Sequence, residues 1–182
     1  MSRVYIERVN ETVETSLLAS ADSALLNKAR NLGLDLPDDL QRLAVARGCR
    51  YYVVEDGPLP ATNLPLTNAE LAVALLSPGL PPQPQDIRVA AAVLSSPDVN
   101  PALLASLATK EGCDGLVRYI AECGLKYEPE NPFWSKLLDQ VRAAVIPSGA
   151  LPHPTRFIEM TGMVRGRTGF FTRWIRPMPA AV

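Results

Sequence analysis

The sequence predicts a mainly α fold: an irregular multi-helix bundle or a short helical-repeat stack, with a small β-hairpin indicated at the C-terminus. Three observations carry this. Leu, Ala and Val recur at three- and four-residue spacing within short segments. Those segments are bounded by Pro or Gly, of which the 182-residue chain has 17 and 11. Most are shorter than the ~12–15 residues at which an isolated helix holds in water. They persist only by packing on one another.

From Ser2 to Cys49 the pattern is mostly helical. Val9, Val13 and Leu17 recur at four-residue spacing, an Ala/Leu-rich pattern continues to Leu32, and Gly33 fits as its stop. A second helix starts at Pro37, where a missing N–H costs nothing. Asp38 and Asp39 suit its positive end, Leu40, Leu43 and Ala44 form its apolar stripe, and Gly48 ends it. Tyr51 to Val54 reads as a short strand.

The run from Gly57 to Pro65 is turn and linker chemistry. Thr67 or Asn68 caps the next helix, with Glu70 placed for a capping box. That helix runs from about Ala69 to Leu76 and is closed by Pro78-Gly79. Leu80 to Gln85 (LPPQPQ) reads as a stiff, extended connection, or as a docking motif for a proline-reading domain. A helix returns at Asp86 to Leu94. Asn100 then caps another, with Pro101 in its first turn, Leu103, Leu104 and Leu107 as its stripe and Gly112 as its end. Leu116, Val117 and Ile120 mark a short helix stopped near Gly124. The last clear helix runs from Trp134 to about Val145, with Leu137, Leu138, Val141 and Val145 inward.

One internal echo stands out. Pro37 to Cys49 (PDDLQRLAVARGC) lies on Pro101 to Cys113 (PALLASLATKEGC), matching Pro, two Leu, Ala, Gly and the terminal Cys. Pro starts, Gly stops and spaced Leu are generic helix punctuation; only the Cys match is unexpected. No known repeat signature is legible in either copy.

Composition excludes several classes. With 47 % apolar residues, 20 % charged residues and a net charge of −1, the chain is too apolar and too nearly neutral to be disordered. Three Cys are too few for a disulfide scaffold, and one His excludes a site built on two. The charged N-terminus (Arg3, Glu7, Arg8, Glu11, Glu14) precedes no signal-like apolar core. No run of ~18 apolar residues predicts a transmembrane segment. A reduced, cytoplasmic setting is expected, with each Cys a small buried apolar residue.

Charge divides the chain near residue 150. Residues 1–150 form the expected helical domain, with linker-like stretches at 57–66 and 78–85 and a balance of −5. Residues 151–182 form a basic, aromatic C-terminal extension with five Arg, one Glu and a balance of +4. The candidate partner-binding residues are Arg156, Arg165, Arg167, Phe170, Phe171, Arg173, Trp174 and Arg176. Gly162, Gly166 and Gly169 argue against one continuous helix here. Two apolar runs flanking Arg165 to Gly169 indicate a β-hairpin, with an irregular arm as the alternative.

Three readings of this extension stay open. It folds back, buries Phe170, Phe171 and Trp174 and pairs its Arg with the acidic body. It contacts a protein partner or a second copy, since Arg, Trp and Met suit interface centres. Or it holds nucleic acid or an anionic membrane surface through Arg and rings.

Catalytic signals are sparse. His153, between Pro152 and Pro154, lacks a local partner and reads as a stiff surface loop. The acid pairs Asp38-Asp39, Glu55-Asp56 and Glu128/Glu130 sit at helix starts or turns. No P-loop, dinucleotide fingerprint, zinc spacing or Ser-elbow motif occurs. No catalytic residue, cofactor or metal ion is assigned from the sequence. The expected function is a non-catalytic interaction or adaptor module. The alternatives are a nucleic-acid-binding accessory protein and an enzyme without a recognisable motif, centred on Cys113, Cys123, Glu111 and Asp114.

Overall fold

The computed structural model describes residues 23–49, 60–81, 83–146, 151–163 and 170–174. Seven α-helices are found among them: α1 (Ala24–Asn31), α2 (Asp38–Ala46), α3 (Asn68–Leu75), α4 (Pro84–Leu94), α5 (Pro101–Glu111), α6 (Asp114–Tyr127) and α7 (Pro132–Gln140). A 3₁₀ turn (Pro154–Phe157) then leads into β1 (Ile158–Met163), which pairs antiparallel with β2 (Phe170–Trp174). The fold is mainly helical and compact. The N-terminal part of the first expected helix, the expected strand at Tyr51 to Val54 and the loop Arg165 to Gly169 lie outside the described residues.

Helix α3 is the centre. Ala69 and every residue from Leu71 to Leu75 are buried, the signature of a helix packed all round. It contacts α1, α2, α4 and α5, most extensively α4, which is itself buried from Val89 to Leu94. Every substantial helix–helix contact joins helices one or two apart in the chain. That is the ordering of short helices laid successively on one another. The 3₁₀ turn departs from it: it touches both α4 and α6, carrying the chain end back across the stack.

Local chemistry explains most helix ends. Thr67 and Glu70 form the expected capping box on α3, and Asn100 accepts from Ala102 and Leu103 at the start of α5. Three helices stop in the same way. Leu34, Cys49 and Cys113 donate their backbone N–H to Ala29, Ala44 and Ala108 at 3.2, 3.0 and 3.0 Å. Gly33, Gly48 and Gly112, just before them, have positive φ. This is the Schellman stop, whose closing residue is apolar and buried. The Gly-Cys end of the echo between Pro37–Cys49 and Pro101–Cys113 is this stop, with Ala44 and Ala108 as its acceptors, and α1 uses it with Leu34 in place of Cys.

Four expectations need correction. Pro84 opens α4, so only Leu80 to Gln83 of LPPQPQ is a connection. Leu103 is 50 % exposed, and the buried stripe of α5 is Leu104, Ala105 and Ala108. Gly124 does not stop α6, which continues to Tyr127. Its missing side chain makes room for Trp134: a Cβ there would sit 2.7 Å from Cε3 and closer still to two other indole carbons. Finally, α7 ends at Gln140, with Val141 extended at φ −71°, ψ 135°. Val141 is itself buried, and the chain must turn back toward α6, so tertiary packing overrides the helical pattern.

Polar contacts tie helices together through their ends. Glu111, on α5, accepts from Ser23 Oγ at 2.6 Å and from the Leu25 N–H at 3.2 Å, completing the N-terminus of α1. Lys28 reaches Glu70 at 2.7 Å. Burial works to raise the Glu70 carboxyl, but Lys28 and Thr67 together hold it below its ordinary value. Asp86 is buried in the first turn of α4; Oδ1 accepts from Gln41 of α2 at 2.6 Å, while Oδ2 has no hydrogen-bond partner.

Two predictions follow from these contacts. Gly124→Ala forces the Trp134 ring to move and should destabilise the fold by about 1–3 kcal/mol, read as a lower urea midpoint at unchanged slope. Burial raises the Asp86 carboxyl, Gln41 opposes this, and the nearby Asp38 adds to it. The folded state therefore binds this proton more tightly than the unfolded chain, so stability falls as pH rises from the ordinary aspartate range through the raised value. Asp86→Asn should be more stable than the parent at neutral pH, and the difference should vanish below ~pH 3.9. Denaturant titrations across pH measure it.

Candidate functional site

The C-terminal segment reaches the helical body through rings. Tyr119 of α6 donates its hydroxyl to the Pro152 carbonyl at 2.6 Å and meets Phe157 edge-on, with centroids 6.1 Å apart. Phe157 stacks on Trp174 at 5.4 Å, and Trp174 meets Trp134 at 4.8 Å and 63°. Phe133 extends the cluster at 5.0 Å from Trp134. Trp134, Phe157 and Trp174 are at most 1 % exposed. Each ring pair of this kind adds ~0.5–1.5 kcal/mol beyond its buried area.

The two indoles differ in their polar ends. Trp134 Nε1 donates to Glu128 at 3.1 Å. Trp174 Nε1 is buried without a partner, a cost of ~1–3 kcal/mol. Burial, with Cys123 and Tyr127 alongside, pushes the Tyr119 hydroxyl up to about 12, so it stays a proton donor.

These positions sort the sequence candidates. Trp174 is buried within this chain rather than exposed on its surface. Its ring lies against Trp134 and Phe157 of the same chain, as the fold-back reading expects. Arg156 is exposed, directly beside buried Phe157. Phe170, Phe171 and Arg173 lie in β2, where the register sets position 173 opposite Glu159 and position 170 opposite Met163. Arg165, Arg167 and Arg176 lie outside the described residues.

The cluster weighed for catalysis is differently employed. Cys49, Cys113 and Cys123 are free and buried. Burial pushes the Cys49 thiol up to about 12. Burial, helped by Asp114 and Glu111, does the same to Cys113, and burial raises Cys123. A thiol held protonated is a poor nucleophile. Glu111 completes α1, and Asp114 accepts from Thr109 at 2.7 Å across the α5–α6 corner. His153 is exposed and accepts the Thr155 N–H through Nδ1 at 3.3 Å, capping the 3₁₀ turn. That cap was the signal missed in LPHPT, since a ring nitrogen serves as the side-chain acceptor there.

LPPQPQ is also placed. Leu80 is buried and Pro84 is the first residue of α4, with Pro81 and Gln83 exposed between them. A proline-reading groove needs several consecutive residues in polyproline conformation, and this connection is anchored at both ends. Among the described residues, no group of three or more His, Cys, Asp or Glu is disposed to hold a metal ion. No helix among them is long and apolar enough to cross a membrane.

No protein-family model, curated protein or solved structure matches this chain.

The thiol environment is directly testable. At mildly alkaline pH the three thiols should react with a disulfide reagent orders of magnitude more slowly in the native protein than in denaturant. A single fast native thiol would reopen the catalytic reading of Cys113 or Cys123.

Proposed function

We propose that the chain is a non-catalytic helical interaction module whose C-terminal segment presents arginines to an acidic protein surface, on a partner or on a second copy. The observation that carries this is the alternation at Arg156-Phe157. The ring is sealed into the cluster with Trp174, and the neighbouring guanidinium is left in solvent. An anchored cation needs little ordering on binding, and Arg pairs with carboxylates bidentately. The charge division supports the same reading, with −5 over residues 1–150 and +4 beyond. Burial of Phe157 and Trp174 removes two rings on which bases would stack, which weighs against nucleic acid. Three cysteines that remain thiols suit the cytoplasm.

A fluorescence-anisotropy titration at low salt decides between partners, using a labelled oligoglutamate peptide and a labelled single-stranded oligonucleotide of equal charge. The peptide should bind, and Arg156→Glu combined with Arg173→Glu should weaken it about tenfold or more. Tighter binding of the oligonucleotide, with a steep salt dependence, would transfer the function to nucleic acid. Binding of neither probe would end the interaction reading of these arginines.

A further inference from the structure

The connection between α7 and the C-terminal segment is out of keeping with its own sequence. Residues 142–146 (Arg142, Ala143, Ala144, Val145, Ile146) contain good helix formers and continue the apolar period of α7, in which Trp134, Leu137 and Val141 are buried. The helix nevertheless ends at Gln140 and the chain runs on without regular structure. Arg142 to Val145 are exposed, and Val145 reaches 91 %. A helix of nine residues stops short while the residues that would lengthen it sit in water. What holds them there is the return of the chain to α6 and α4, where Phe157 and Trp174 are seated.

We propose that two copies of this chain exchange the segment bearing Phe157 and Trp174. Each Trp174 then docks against Trp134 of the other copy, and α7 extends over residues 141–145. Every contact of the segment with its cradle is reproduced across the pair, because cradle and segment are unchanged; only the connection differs. Exchange of an identical element is therefore a low-cost route to a dimer. In the exchanged form residues 141–145, up to the residue before Ile146-Pro147, gain helical hydrogen bonds, and Val145 joins the stripe of Trp134, Leu137 and Val141, four residues on. Leaving the cradle is eased by Trp174 itself, whose indole N–H has no acceptor in the docked state. The occupant is a second copy because this cradle already fits this chain's own segment. The opposite charges of residues 1–150 and 151–182 suit that pairing in trans as well as in cis. This deepens the interaction reading by naming the partner, and it does not depend on the exposed arginines.

The full chain is refolded from denaturant at low and at high concentration, so that slow exchange hides nothing, and its mass is measured by sedimentation and light scattering. The high-concentration sample should contain a two-copy species that returns only slowly to one copy on dilution, with more far-UV helical signal per residue. Ala144→Pro blocks extension of α7 while suiting an extended connection. It should keep the single-copy fold and lower the dimer fraction about tenfold or more. Trp134→Ala spoils the cradle and Trp174→Ala spoils the segment. An equimolar mixture should dimerise better than either alone, since one of the two docks in the mixed pair is intact. A one-copy mass at every concentration overturns the proposal. So does a dimer indifferent to Ala144→Pro, or one that the mixture fails to restore. A one-copy chain that still binds oligoglutamate would remove the exchange and leave the interaction reading standing.

Discussion

The face of Trp134 against the bare backbone of Gly124 is the contact on which the C-terminal half depends. It brings α7 close to α6, because any side chain at 124 would occupy the space of the indole. It also turns the Trp134 ring into a floor on which Trp174 lands edge-on. Phe157 then fills the space between Trp174 and Tyr119. The most extensive helix packing joins helices one or two apart in the chain, and the C-terminal segment lies against the last pair. One absent methyl group thus links the geometry of two helices to the docking of a strand some fifty residues further on.

The polar side of the molecule follows a similar economy. Several carboxylates of the described body are employed at helix ends. Glu111 completes α1 from α5, Glu70 closes its own capping box and holds Lys28, and Asp114 ties the α5–α6 corner. Asp86 is the exception: it lies buried with one oxygen satisfied and one not. Burial likewise raises the three cysteine thiols of the described body.

Local signals were legible where the chemistry is local. Asn100-Pro101, Thr67 with Glu70, and the stops at Gly33, Gly48 and Gly112 are decided within a single helical turn, and the structure has them where the residues indicate. What was illegible is decided across the chain. Gly124 looks like a stop because glycine usually is one, and only the presence of Trp134 ten residues later gives it another use. Leu103 looks like stripe, yet α5 turns Leu104, Ala105 and Ala108 inward. Trp174 looks like a surface anchor for a partner, since composition cannot distinguish a ring offered outward from one returned to its own core. The end of α7 is the clearest case, for the periodicity runs on while the chain departs.

The pairing of the two indoles has a practical consequence. The chain has only two tryptophans, and both stand in this one contact, shielded from water. Intrinsic emission therefore reports on a single place in the molecule, with a blue maximum while the strand is seated and a red one once it leaves. Neighbouring chromophores at this separation also couple their ultraviolet transitions. The protein carries its own optical gauge of whether its last strand is at home.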